Sequence, residues 1–290
     1  VDPAGYDIYT QALQSLRARL GDDPLQGLPV KHVVATGGSQ SAGTLAIYFQ
    51  AQQPLFRAAD AFMPFILTSA SAQAAPTGVA FPVQPEVVGT PFFLINSETD
   101  LDLTQKPDSP MYRQWEVAGA THYSQHAFDY NQPLILRDFA MDIADGDSAC
   151  IGTRRSRIPY HHVLNAAMDL TVRWIETGTA PPSQPRFQYG LDGAPARDER
   201  GNALGGIRLP EHAVPTATNR RGEASDAPFC YLYGSHAPFD AATLRALYPT
   251  HADYVQQFEA AADTAVSVGV LLPDDAALSK AAARAAAIPL

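Results

Sequence analysis

The sequence predicts an α/β protein with a mostly parallel sheet flanked by helices. Short apolar runs typical of buried strands recur at 31–37, 59–68, 91–96 and 114–118, and they are interleaved with helical patterns. The first run ends in a glycine-rich turn that leads directly into a helix. This strand–turn–helix connection is the one that parallel sheets of the α/β class require.

The predicted helices share apolar residues at helical spacing, and they cover 5–20, 40–52, 163–177, 239–247, 250–269 and 274–287. Gly21 ends the first helix, and a Pro-rich break over 178–185 follows the third. A loop rich in Pro, Ala and Ser is predicted over 69–90. Asp192-Gly193 and Gly201-Asn202 predict hairpin-like turns within 187–209.

The chain changes character near residue 150, and this predicts a division into two parts. Residues 1–150 carry the strand–helix alternation, whereas 151–290 have the pattern of a helical and hairpin region. The sequence contains no internal repeat and no long flexible linker between the two parts. The change could mark a domain boundary, although no linker supports one.

Composition excludes some classes of partner. The 290 residues are 46% hydrophobic and 17% charged, as in folded globular proteins, and the net charge is −10. Without a basic run, this charge argues against a nucleic-acid partner. Apolar stretches stay well below the roughly 18 residues of a membrane span. The net charge says little about which small molecule would be the substrate.

The two cysteines and the first residue bear on the cellular location and the processing of the protein. Cys150 and Cys230 could form one disulfide or be two buried thiols. Both lie in loop-like sequence, which favours the disulfide and hence an extracellular or periplasmic protein. The chain opens with Val1 rather than Met, which we interpret as the mark of a proteolytically processed product.

Residues 33–43 carry the strongest functional signal. The apolar strand runs into Gly37 and Gly38, Ser39 follows, and a helix begins at once. This layout is typical of a nucleophile elbow, in which a sharp turn raises the serine hydroxyl above the sheet at a helix N-terminus. The motif is Gly-x-Ser-x-Ser, one substitution from the usual Gly-x-Ser-x-Gly. The simplest alternative is an ordinary strand-to-helix connection.

Two other functions of this turn fit less well. A dinucleotide-binding dehydrogenase would have glycine where Ser41 stands, and a Lys four residues after a catalytic Tyr. The lysines are Lys31, Lys106 and Lys280, and none has that spacing. A phosphate-binding P-loop would have Lys where Thr44 stands. The serine-nucleophile interpretation is therefore favoured.

A serine nucleophile needs a base, and His122 is the best candidate. It follows the short strand 114–118 and Gly119, where a loop could bring it back over Ser39. His126, four residues on, could pair with it on a metal, but the residues between them do not form His-Glu-x-x-His. No metal and no cofactor are predicted.

The remaining histidines are weaker candidates for the base. His32 opens the elbow strand at the end remote from the serine, and His161 and His162 are expected to precede a helix. His236 and His251 lack strand context.

The acid that orients the base comes from the loop after strand 91–96. Asp100 lies three residues after the small Ser97, which favours it. Glu98 lies nearer the strand end and remains an alternative acid, and Asp102 is a third candidate. An acid just beyond the carboxyl end of a strand lies on the same rim as the elbow.

Several longer segments resemble the bacterial alpha/beta hydrolase domain family of lipases and esterases. They are Gly-Gly-Ser-Gln-Ser-Ala, Ser-Glu-Thr-Asp-Leu, Trp-Glu-Val-Ala-Gly-Ala-Thr-His, Gly-Asn-Ala-Leu-Gly-Gly-Ile-Arg-Leu-Pro and Leu-Tyr-Pro-Thr-His-x-x-Tyr-Val. The similarity covers residues 6–285. It implies the α/β-hydrolase fold, carboxylic ester hydrolysis, and inclusion of 151–290 in the hydrolase unit.

Together with the candidate residues, the resemblance predicts a carboxylesterase or lipase-like enzyme with Ser39, His122 and Asp100 (or Glu98) as its triad. The Gln40 backbone N–H would supply one donor of the oxyanion hole. The family places further strands before the elbow strand, whereas here that region reads as one helix. We therefore expect an N-terminal companion polypeptide from the same precursor to supply the missing strands and the second donor. The alternative is a catalytically weak or inactive homologue that acts as a binding or scaffold protein.

Overall fold

The computed structural model describes residues 4–18, 25–67, 83–100, 106–141, 155–191, 193–222 and 230–289. The helices in these ranges are α1 (Gly5–Ala18), α2 (Gln40–Ala51), α3 (Gln53–Phe56), α4 (Pro85–Val88), α5 (Gln125–Phe139), α6 (Tyr160–Thr177), α7 (Pro210–Ala213), α8 (Ala241–Leu247), α9 (His251–Ser267) and α10 (Pro273–Ala285). The strands are β1 (Val34–Gly38), β2 (Ala61–Phe65), β3 (Phe92–Ser97), β4 (Tyr112–Val117), β5 (Ala217–Arg220) and β6 (Ser235–Pro238).

The main sheet has four strands in the order β1-β2-β3-β4 and is parallel, with flanking helices. β1 pairs with β2 from Val34 opposite Ala61 to Gly38 opposite Phe65, and β2 pairs with β3 in the same direction. Both β3 and β4 are buried along their whole length, as expected for strands covered on two faces. The predicted α/β class is confirmed.

The chain forms two compact units. The first contains Val1–Ile95, Asp102–Gln114 and Met168–Ser183. Its core is aromatic: the Phe49 ring packs edge-on against Phe62 and Phe92, with centroids 4.9 and 4.8 Å away. Buried Phe side chains at these sites join α2 to the sheet.

The second unit contains Asn96–Leu101, Trp115–Ala167 and Gln184–Leu290. β5 and β6 form an antiparallel pair in it, and antiparallel bridges join Phe187 to Gly205 and Arg197 to Ala203. α9 begins with a capping box in which Thr250 and Asp253 bond each other's backbone N–H. The predicted turn at Gly201 is confirmed by its N–H bond to the Asp198 carbonyl; Asp192 lies outside the described residues.

The long predicted elements are present, with ends shifted by a few residues. Two sequence expectations about histidines were wrong: His161 and His162 lie in the first turn of α6 rather than before it, and His236 lies on β6. α6 begins three residues before the predicted start, directly after Pro159. The elements α3, α4, α5, α7, β5 and β6 were not predicted. The expectation of a loop over 69–90 was wrong for Pro85–Val88, which forms α4, and residues 69–82 lie outside the described ranges.

The described residues contain no helix with the length and hydropathy that a membrane span needs. Cys230 is buried, and Cys150 lies outside the described residues, so the disulfide stays a prediction. The proposed boundary near residue 150 likewise stays a prediction.

Candidate active site

Ser39 lies at a sharp turn between β1 and α2 and has a backbone conformation that is rare for a side chain other than glycine. Its φ is 57° and its ψ is −124°, and α2 begins at the next residue, Gln40. The Ser39 N–H donates to the Phe65 carbonyl at 3.3 Å. A strained serine held at a helix N-terminus is the geometry of a nucleophile elbow.

The two glycines before Ser39 are required by close contacts. A Cβ on Gly38 would lie 2.6 Å from the ring of Phe65, and one on Gly37 would lie 3.2 Å from the Ser41 carbonyl oxygen. A side chain at Gly38 would therefore clash with Phe65 of β2, and one at Gly37 would crowd the first turn of α2. The glycine pair thus lets the turn pack closely against both elements.

A cavity of about 320 Å³ lies beside this turn in the first unit. Its walls come from α1, β1 and α2, and they carry tyrosine rings and small hydroxyl side chains. The lining side chains that flank the turn are Thr36, Ser41 and Thr44. None of the lining residues is charged at neutral pH, and Ser39 itself is not one of them.

Asp100 and His122 form a hydrogen-bonded pair in the second unit. The His122 Nδ1 lies 2.6 Å from the Asp100 Oδ1. The Asp100 side chain is fully buried and that of His122 is 12% exposed. The Ser97 hydroxyl donates to the other oxygen of Asp100 at 2.5 Å, so both carboxylate oxygens are engaged. A carboxylate placed in this way fixes the tautomer and orientation of the imidazole.

Glu98, the alternative acid, has different partners. Its carboxylate is fully buried and accepts from the Gly119 N–H at 2.8 Å and from Arg197 Nη2 at 2.7 Å. The Arg221 N–H also donates to it, at 3.2 Å. The structure therefore brings Asp100 to the imidazole and Glu98 to an arginine. Asp102 lies outside the described residues.

The loop that carries His122 is fixed at Gly119. The Gly119 N–H donates to Glu98, and its carbonyl accepts from the Ser156 hydroxyl at 2.5 Å. Its φ is +70°, and a Cβ there would lie 2.9 Å from side-chain atoms of both His212 and Ile158. Only glycine satisfies this conformation and this packing.

Other histidines are held neutral by burial. Burial, followed by the charge of Arg208, lowers the pKa of His212 to about 4. Burial and the neighbouring His162 lower the pKa of His161 to about 4. Among the described residues, no group of three or more His, Cys, Asp or Glu side chains could hold a metal ion.

Sequence reasoning missed the residues that support the site. Arg197 lies 99 residues from Glu98, and Ser156 lies 37 residues from Gly119. Neither belongs to a local motif, so one sequence offered no signal for them. The small residue noted before Asp100, by contrast, is the hydroxyl donor Ser97.

Comparison with known proteins gives one family. A sequence model described as "Alpha/beta hydrolase domain" matches residues 1–281. Neither the curated proteins nor the solved structures gave a significant match.

Proposed function

The chain belongs to the alpha/beta hydrolase domain family, and from that premise we propose that it is a serine hydrolase of carboxylic esters with a Ser39–His122–Asp100 triad. Membership supports a hydrolase-type function in general. The observation that carries the finer proposal is the buried pair of Asp100 and His122, 2.6 Å apart. The elbow conformation of Ser39 supports it.

Topology also supports the triad. Ser39 directly follows β1, Asp100 follows β3 and His122 follows β4, and all three strands belong to one parallel sheet. Loops after the carboxyl ends of parallel strands share one edge of the sheet, where α/β proteins place their active sites. The chain order Ser, Asp, His is also that of α/β-hydrolases.

In the proposed reaction the Ser39 Oγ attacks the ester carbonyl carbon while His122 Nε2 accepts the hydroxyl proton. Asp100 stabilises the resulting imidazolium through Nδ1. The bond from carbon to the alcohol oxygen then breaks, and His122 returns its proton to that oxygen. Water attacks the acyl-enzyme with His122 again as the base, which releases the acid and restores Ser39.

The tetrahedral intermediate needs donors for its oxyanion. The Gln40 N–H, at the first residue of α2, is the proposed donor from this chain. The second donor, expected from an N-terminal companion polypeptide, stays a prediction. An active preparation whose intact mass equals that of this chain alone would contradict it.

Labelling with a fluorophosphonate tests the nucleophile, because this probe reacts with activated serines. We expect one adduct on the Ser39 peptide by mass spectrometry and none in the Ser39→Ala variant. Ser41→Ala is the matched control, since it removes a second serine of the same turn, and it should still be labelled. An adduct on another residue would show that the assignment is wrong.

Turnover of short-chain nitrophenyl esters, compared with matched thioesters and anilides, tests the reaction class. We expect the ester to be cleaved fastest. If folded protein gives neither turnover nor labelling, the alternative of a non-catalytic binding or scaffold homologue replaces the proposal.

A further inference from the structure

We infer that Glu98 and Arg197 form a positioning pair that sets the His122 loop against Asp100. The inference rests on the proposed function, since it concerns the geometry of the same triad. Glu98 lies two residues before Asp100 in one loop, and it bonds Gly119 at the start of the other. One side chain thus spans the loops of the proposed acid and base.

The bonds of Glu98 come from three separate segments of the second unit. Gly119 donates from the loop after β4, and Arg221 donates from the position directly after β5. Arg197 donates from the hairpin that is closed by its bridge to Ala203. The Glu98 N–H also donates to the Ala120 carbonyl at 3.0 Å. The backbone and the side chain of Glu98 together therefore hold residues 119–120, which lead to His122.

Arg197 is the counter-charge that makes this arrangement stable. Glu98 is fully buried, and a buried carboxylate is costly unless a cation and further donors satisfy it. Arg197 is itself held, because its Nη1 donates to the Gly201 carbonyl at 2.9 Å within the hairpin turn. The hairpin thus brings a fixed positive charge to the base of the His122 loop.

The proposed reaction depends on the distance between Asp100 and His122. The 2.6 Å contact of Asp100 with His122 depends on two loops keeping their relative position. Removing the Glu98 charge leaves Arg197 unpaired and weakens the bond to Gly119. A shift of about 1 Å in such a site can lower a rate by roughly 100-fold. Neither Glu98 nor Arg197 takes part in bond breaking.

The test compares Glu98→Gln with Glu116→Gln, a matched control. Glu116 is also buried, accepts from the Phe187 N–H at 2.7 Å and lies 4.0 Å from Arg186. Both variants should lose stability. Only Glu98→Gln should lower kcat for the ester, by about 10- to 100-fold with KM nearly unchanged. An equal effect of the two variants on kcat would overturn the inference.

A second readout does not depend on activity. The proton on His122 Nδ1, in a short bond to Asp100, should give a strongly downfield signal in the proton NMR spectrum. Glu98→Gln should shift or broaden it, and Glu116→Gln should leave it in place. An unchanged signal in Glu98→Gln overturns the inference. If the wild type has the signal but hydrolyses no ester, the proposed function fails. The change of the signal in Glu98→Gln then still tests the positioning role by itself.

Arg197 supplies a second set of variants in case Glu98→Gln does not fold. Arg197→Met removes the counter-charge, whereas Arg197→Lys keeps it. We expect kcat and the downfield signal to be lost with Met and partly restored with Lys. Equal behaviour of the two variants in both measurements would contradict a positioning role for this pair.

Discussion

Substitution of Gly119 by alanine tests how tightly the His122 loop is packed. The added Cβ would lie 2.9 Å from His212 Cδ2, 2.9 Å from Ile158 Cγ1 and 3.2 Å from the Asn219 carbonyl oxygen. His212 and Ile158 are buried, so neither can swing into solvent. The Gly119 N–H and carbonyl are both hydrogen-bonded, which also restrains the backbone.

The expected loss of stability has two parts. An alanine at φ +70° costs about 1 kcal/mol because its Cβ crowds the backbone in the left-handed region. Forcing a methyl group into filled space costs about 1–3 kcal/mol more. We therefore expect Gly119→Ala to lower the free energy of unfolding by about 2–4 kcal/mol.

Gly178→Ala is the matched control for the backbone part of this stability loss. Gly178 has a φ of +71°, and a Cβ there would meet nothing within 4 Å. Urea unfolding followed by circular dichroism gives both free energies under the same conditions. Gly178→Ala should lose only about 1 kcal/mol. If the two variants differ by less than about 0.5 kcal/mol, the packing argument is refuted.

Two further predictions concern charge. Asp100→Asn should lower kcat for the ester by roughly 10⁴-fold, as the same change does in a serine protease triad; a loss below tenfold would exclude Asp100 as the triad acid. His212 has a folded pKa of about 4, so only the unfolded form of this residue binds a proton between pH 6.5 and 4. The contribution of His212 to the free energy of unfolding therefore falls by about 3 kcal/mol as the pH drops through that window, in addition to the contribution of His161. Urea unfolding of His212→Gln across this range should lack that component, and parallel curves for variant and wild type would contradict it.

The sequence allowed prediction of the elements that local pattern determines. The glycines before Ser39, the apolar strand predicted at 91–96 and the small Ser97 before Asp100 all signal their structure within a few residues. Boundaries shifted where a helix started early, as at Tyr160 after Pro159. The edges of elements depend on capping and on tertiary contacts that a short window does not contain.

What the sequence could not provide was the long-range pairing of polar groups. Asp100 and Glu98 are two acids of one loop, and local pattern left both open as partners of His122. The structure separates them because Arg197 bonds Glu98. α5 was missed although it carries apolar residues, and Pro133 in its interior is a residue that ordinarily ends or kinks a helix.

The residues that hydrogen-bond Glu98 also affect when the site can form during protein synthesis. Arg197 and Arg221 follow Glu98 by 99 and 123 residues. At ribosomal speeds of about 5–20 residues per second, they emerge roughly 5–25 s after the loop they hold. Until then the Glu98 carboxylate must stay hydrated, and the loops on either side of it lack a fixed spacing. On this basis a nascent chain acquires its Asp100–His122 geometry late, after most of its strands already exist.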